Sequence, residues 1–256
     1  MEYPIKIKPS DGVLLQAVYS GPHLIEVREG DGLRWMHFGD DSIQAMMMLD
    51  DPARPIIPYQ AYMLGALLLR PAPDFVLNLG VGGGSFERFF TAFQPQSVVT
   101  SVESNHEVIA LLRNYFPIHA HMPVINQDAE KFLIGCATSY DLIISDLFDM
   151  SGNLQLTTNS DFYQEVMRCL SSKGVFVINL LAESEVEMAE ILVAVRDSFQ
   201  HVLMLLVPHF QNTVLFCLKE PVPNRELIKE RATELLLETE VDLTDVVDLV
   251  VELPKR

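Results

Sequence analysis

Two carboxylates close the stretch YDLIISDLFDM, residues 140 to 150. Leu142, Ile143 and Ile144 read as a buried strand, which then delivers Asp146 and Asp149, three positions apart, into what reads as a loop. A carboxylate taken out of water costs free energy unless it is paired or used. A carboxylate in such a place could accept a proton or bind a cationic group. The structural alternative is that Asp146 caps the following turn, or that both acids are solvated loop residues. Spacing alone leaves both readings open.

The elements around the pair give it a place. From Phe75 onward strands alternate with helices: FVLNLG, SVVTSVE, PVINQD, YDLIISD and GVFVINLL are strands, each followed by a helical stretch. HVLMLLVP and NTVLFCLK then lie close enough for an antiparallel pair. This alternation predicts an α/β fold, a Rossmann-like sheet of seven mostly parallel strands with helices on both faces. It occupies the larger domain, residues 53–220. Residues 1–52 read as a small β region, because VLLQAVYS, HLIEVREG and LRWMHFG are separated by turn signals. DDPARP reads as a linker, and YQAYMLGALLL as a helix of about three turns ended by Arg70-Pro71. Residues 221–256 form an acidic, helical extension with no residues that suggest chemistry. In such sheets ligands bind beyond the carboxyl ends of the strands, where Asp146 and Asp149 lie.

A glycine cluster sits at another of those ends. Gly80, Gly82, Gly83 and Gly84 follow a strand and precede a helix, where glycine permits a tight turn and close approach to a ligand. Glu103, followed by Ser104, ends the next strand about twenty residues on, where an acid can grip ribose hydroxyls. Asp128, followed by Ala129, ends the third strand, and is equally readable as a helix N-cap. The Gly-x-Gly-Gly-Gly spacing departs from the dinucleotide pattern. It resembles the first motif of S-adenosylmethionine-dependent methyltransferases and their relatives, with Asn78 where many of them carry Asp.

The order of the glycine loop, SVESNHEVIALLRNYFP, QDAEKFL, YDLIISDLFD and LTTNSDFYQEVMRCLSSKGVFVINL resembles the spermidine synthase family, the polyamine aminopropyltransferases, over about residues 30–220. The resemblance implies a transferase that moves an aminopropyl group from decarboxylated S-adenosylmethionine to a polyamine. It implies Asp146 as base, Asp149 as the group that orients the amine, and Tyr59 of PYQAYM in the catalytic set. It also implies Gln44, Gly80, Gly82, Gly83, Glu103, Ser104, Asp128, Ala129 and Asp146 around the nucleoside, with Asp128 on the adenine amine. No tightly bound cofactor or metal is implied; decarboxylated S-adenosylmethionine or S-adenosylmethionine would be a co-substrate. Several positions depart from the family. Gly83 stands where its loop carries an Asp that binds the donor amine, Gln60 where it carries His, Met150 where Pro usually follows the second acid, and Asn179 where a Gln follows the fifth strand. Methyl transfer, or nucleoside binding without catalysis, are the alternatives these departures keep open.

The whole composition narrows the class further. The formal net charge is −17, which disfavours nucleic acid as a partner. No apolar run is long enough for a membrane span, and no signal-peptide core opens the chain. Three scattered cysteines, Cys136, Cys169 and Cys217, fit a reducing cytoplasm rather than a disulfide or zinc site. A small-molecule nucleoside and a polyamine are the expected partners, and a homodimer is compatible with them. His119 and His121 read as loop residues, Met46 to Met48 as packing, and Ser160 as a helix cap.

Overall fold

Short turns fold the first part of the chain into a meander. In the computed structural model, which describes residues 7–39, 42–119, 122–149, 152–153 and 155–254, β1 (Val13–Ser20), β2 (His23–Gly30), β3 (Leu33–His37) and β4 (Ile43–Met48) pair in sequence order, all antiparallel. Two short helices follow, α1 (Pro58–Met63) and α2 (Ala66–Leu69). The single helix expected here is broken after Leu64 by Gly65. A Cβ on Gly65 would stand 3.1 Å from the Phe216 ring, so glycine lets the break pack against the sheet.

The α/β part then runs β5 (Phe75–Leu79), α3 (Ser85–Phe93), β6 (Val98–Glu103), α4 (His106–Tyr115), β7 (Val124–Asn126), α5 (Ala129–Gly135), β8 (Tyr140–Ser145), a small ribbon of β9 (Phe148–Asp149) and β10 (Gly152–Asn153), α6 (Ser160–Cys169), β11 (Leu170–Leu180), α7 (Glu185–Ser198), β12 (His201–Leu206) and β13 (Thr213–Leu218). The chain finishes with α8 (Arg225–Thr239), α9 (Val246–Leu249) and β14 (Val251–Glu252). Among the described residues the main sheet has eight strands in the order β14-β12-β13-β11-β8-β5-β6-β7. The pairings from β11 through β7 are parallel; β13 is antiparallel to both β11 and β12. The sheet is thus α/β and mostly parallel as the alternation predicts, with one strand more. Its eighth strand is the end of the tail, where Met204 of β12 pairs with Val251.

Side chains alternate across this sheet. Val76, Leu142, Ile144, Val175 and Val177 pack on one face with α1, α2, α3, α8 and α9. Leu77, Leu79, Ile143, Phe176 and Ile178 pack on the other with α5, α6 and α7. Ile25, Val27, Met36, Ala45 and Met47 of the meander bury against α4 and against Val81 of the glycine loop. The meander therefore lies over the carboxyl edge of the sheet. Two further expectations resolve locally. Ser160 is the first residue of α6, and the cap is Asn159, whose side chain accepts from Asp161 N at 3.0 Å. Met46 and Met47 are buried in packing, as read.

Candidate active site

The switch point of the sheet lies between β5 and β8. The chain moves outward from β5 to β6 and β7, then returns to place β8 on β5's other side. The strand ends there touch: Asp146 N donates to Leu79 O at 2.9 Å. Gly80 has φ +89, and a Cβ on it would stand 2.3 Å from the Asp146 carbonyl oxygen. Both facts exclude a side chain at Gly80.

Around this point is a cavity of about 650 Å³, within the ordinary range for small-molecule sites. Its wall brings together Gln44 from β4, Tyr59 and Gln60 from α1, Gly80, Val81 and Gly82 from the glycine loop, Glu103 at the end of β6 with Ser104 and Asn105 behind it, and Asp146, Leu147 and Phe148 after β8. The turn between β1 and β2 adds Ser20 and His23. Of the residues singled out from sequence, Gln44, Tyr59, Gly80, Gly82, Glu103, Ser104 and Asp146 share this wall. Gly83, Asp128 and Ala129 stand outside it. Gly83 turns its Cα toward β4, so that an added Cβ would lie 2.5 Å from Ala45 Cβ. Asp128 is an N-cap, accepting from Lys131 N at 3.0 Å, and Ala129 packs with Leu133 in the core. Asp149 pairs through its backbone with Gly152 in the ribbon, in place of the expected open loop. Met150 and His121 lie outside the described residues.

The strand YDLIIS has an acid near its start and another just past its end, and the two are treated differently. Asp141, at the amino end, accepts from Arg70 Nη2 at 2.9 Å, Ser171 Oγ at 2.9 Å and Asp74 N at 3.0 Å. Burial works to raise its pKa, but these partners outweigh it and hold the carboxyl below its usual value. Asp146, at the carboxyl end, has no cation among its partners. Asn179 Nδ2 donates to its Oδ1 at 2.9 Å, and Gln60 and Tyr59 donate as well. Asn179 is itself fixed by Asn212, whose Nδ2 donates to Asn179 Oδ1 at 3.0 Å. Desolvation dominates the three donors, and the Asp146 carboxyl is pushed up to about 6. The residue is only partly buried and opens on the cavity, and the protein packed around it raises the cost of its charge. A carboxylate with that pKa is a better base than an ordinary one and is still ionised at neutral pH.

Glu103 is raised by burial, opposed by backbone N–H groups of Asn105, Gly82, Val81 and Ser104. Asn105 N lies 2.9 Å from its Oε1. The acid thus ties the glycine loop to the start of α4. Arg88 secures the loop from below, with Nη1 on Gly83 O and Nε 2.6 Å from Pro52 O. Asn78 points into the core, where Nδ2 donates to the buried Glu87 carboxyl at 2.8 Å. Sequence reasoning placed Gln60 and Asn179 only as departures from a pattern, and missed Asn212, Asn105, Ser20 and His23. A polar residue at the end of the apolar run GVFVINL was the available signal for Asn179. Asn212 carried none, because only the sheet order brings it to Asn179. Among the described residues no group of three or more His, Cys, Asp and Glu could hold a metal ion, and no helix is long and apolar enough to cross a membrane.

Comparison with known proteins places these features. A polyamine aminopropyltransferase of Chromobacterium violaceum is 35% identical over 158 residues, covering 60% of this chain and 60% of the relative. One from Neisseria meningitidis is 31% identical over 169 residues, 64% of each. The chain thus spans somewhat under two thirds of the length of the curated relatives it matches. Among solved structures, a probable spermidine synthase from Corynebacterium glutamicum superposes with TM-score 0.74 at 19% identity, covering 87% of both chains. Human methyltransferase-like protein 13, in complex with SAH, gives 0.65 at 22% identity, covering 71% of this chain and 91% of that one. At such identities these structures establish the fold, a methyltransferase-like one. Residues 59–224, from the tyrosine on the cavity wall to the cap of α8, match the model of the spermine/spermidine synthase domain, and the chain belongs to that family.

Proposed function

We propose that this protein transfers an aminopropyl group from decarboxylated S-adenosylmethionine to an amine of a polyamine. The observation that carries this reading is Asp146, a carboxylate raised to about 6, held by neutral donors on the wall of a cavity that Glu103 shares. The relatives' activity, aminopropyl transfer, supports it, as does a spermidine synthase of like fold solved with the transition-state analogue AdoDATO.

The chemistry suits this wall. The attacking amine is protonated in solution, with a pKa near that of lysine, about 10. Asp146 accepts the proton. The freed lone pair attacks the methylene carbon beside the sulfonium, the carbon–sulfur bond breaks with its electrons going to sulfur, and methylthioadenosine leaves. Tyr59, Gln60 and Asn179 hold Asp146 in line without neutralising it. Asp149 orients the amine. Glu103 takes the ribose hydroxyls, Gln44, Gly80, Gly82 and Ser104 line the nucleoside, and Asp128 reaches the adenine amine with Ala129 beside it. In this reading residues 53–220 form the catalytic domain, residues 1–52 its cover and residues 221–256 an extension. Three free, buried cysteines suit a reducing cytoplasm.

Gly83 favours a second reading, methyl transfer from S-adenosylmethionine. With its Cα against Ala45, this position offers no acid to a donor amine and would not repel a methionine carboxylate. The deciding assay supplies decarboxylated S-adenosylmethionine with putrescine, cadaverine or spermidine and follows methylthioadenosine. Amine-dependent release is expected. No release with any amine, together with methyl transfer from S-adenosylmethionine, overturns the aminopropyl reading.

A further inference from the structure

The family match ends at residue 224, but the chain beyond it returns to the helix that builds the site. Ile228, Ala232, Leu235, Val241, Leu243, Val246 and Val247 are buried in one cluster with Ala61, Tyr62, Met63 and Leu64 around α1. Two polar contacts fix the alignment. Arg231 of α8 donates from Nη1 to Leu68 O at 2.8 Å, closing the carboxyl end of α2. Tyr62 OH donates to Asp245 Oδ2 at 2.8 Å. Asp245 stands at the N-cap of α9 without making a side-chain cap. Its other oxygen, Oδ1, is buried with no hydrogen-bond partner. Burial, with Asp245 and Asp242 nearby, holds the Tyr62 hydroxyl protonated, so it remains a donor.

Helix α1 has six residues, too few to keep its own orientation through internal hydrogen bonds. Its first turn carries Tyr59 and Gln60 to Asp146, and Tyr62 in the next turn reaches toward the tail. We propose that the segment after residue 224 sets the orientation of α1 through the Asp245–Tyr62 hydrogen bond, making Asp245 and Tyr62 positioning residues for the Asp146 base. This rests on the reading of Asp146 as proton acceptor. It gives the tail, which lies outside the matched domain, a part in the chemistry.

The test uses the full chain and the variants Tyr62→Phe, Asp245→Ala and Asp245→Asn, each checked for a cooperative urea transition. Tyr62→Phe removes one oxygen, so it keeps the question open if Asp245→Ala fails to fold. Two readouts are taken: kcat and KM for the amine, and the titration midpoint of the Asp146 carboxyl by carbon NMR. Tyr62→Phe and Asp245→Ala should lower kcat about tenfold while changing KM less than about threefold. Both should raise the midpoint, since Asp146 loses donors from Tyr59 and Gln60. Asp245→Asn keeps an oxygen for Tyr62 and should restore both values toward wild type. Folded Tyr62→Phe with wild-type kcat and an unmoved or lowered midpoint overturns the proposal. If the wild type transfers no aminopropyl group, the functional reading fails by itself. The midpoint then still decides: a rise supports positioning, and no rise overturns it.

Discussion

Replacing Asp146 with Asn should slow the proposed transfer and, above pH 6, make the protein more stable. The carboxyl sits at about 6 in the fold against an ordinary 3.8. The unfolded chain therefore loses this proton at lower pH than the folded one. Above the folded pKa the buried charge costs stability in full, at most about 3 kcal/mol for a shift of this size. As pH falls through 6 the folded protein takes up the proton and the cost is lifted. Integrating proton uptake between pH 8 and pH 5 gives a gain of about 1.4 kcal/mol for the wild type that the Asn variant cannot show. The variant does not collect the whole 3 kcal/mol ceiling. Its amide offers a single oxygen to three donors, Asn179 Nδ2, Gln60 and Tyr59, so its NH2 is left facing a donor, and Asn179 is held from flipping by Asn212. A net stabilisation of about 1 kcal/mol at pH 8 is expected after that conflict. Turnover should fall by about 10²–10⁴, the range for loss of a general base, with methylthioadenosine binding kept. The acid limb of the wild-type rate, near pH 6, should vanish. The measurements are urea unfolding of both proteins at pH 8 and pH 5, and the pH dependence of kcat/KM. If the stability difference between the two is the same at both pH values, the carboxyl is not held at about 6. If the rate is indifferent to Asp146→Asn, Asp146 is not the base.

Glu103→Ala should cost roughly 2–4 kcal/mol of affinity for methylthioadenosine by calorimetry, the scale of losing hydrogen bonds to a charged group; unchanged affinity removes Glu103 from the nucleoside site. Gly83→Ala should destabilise by about 1–3 kcal/mol in urea, because its Cβ would stand 2.5 Å from Ala45 Cβ. The pair Gly83→Ala with Ala45→Gly should recover most of that, and failure to recover would show that another contact sets the cost.

The frame of the fold is legible in the order of residues. Strand and helix periods from Phe75 onward gave the parallel order of elements, since burial on both faces demands continuous apolar strands such as DLIIS and VFVIN. The glycine cluster and Glu103 were readable because strand ends and loop backbone need particular residue types. A helix break at Gly65 and an eighth strand at Val251 were not readable. Each depends on a partner far along the chain, Phe216 in one case and Met204 in the other. The same divides the site. Asp146 could be picked from its place at a strand end, but its basicity could not. That required Asn179, Gln60 and Tyr59 to converge from β11 and α1 with no cation among them. Asp141, five residues earlier on the same strand, is held in the opposite direction by Arg70 and Ser171. The two acids are the same residue type at opposite ends of one strand. Only the tertiary structure separates them, because a pKa is set by the distance to charges and donors in space and by the water that burial removes.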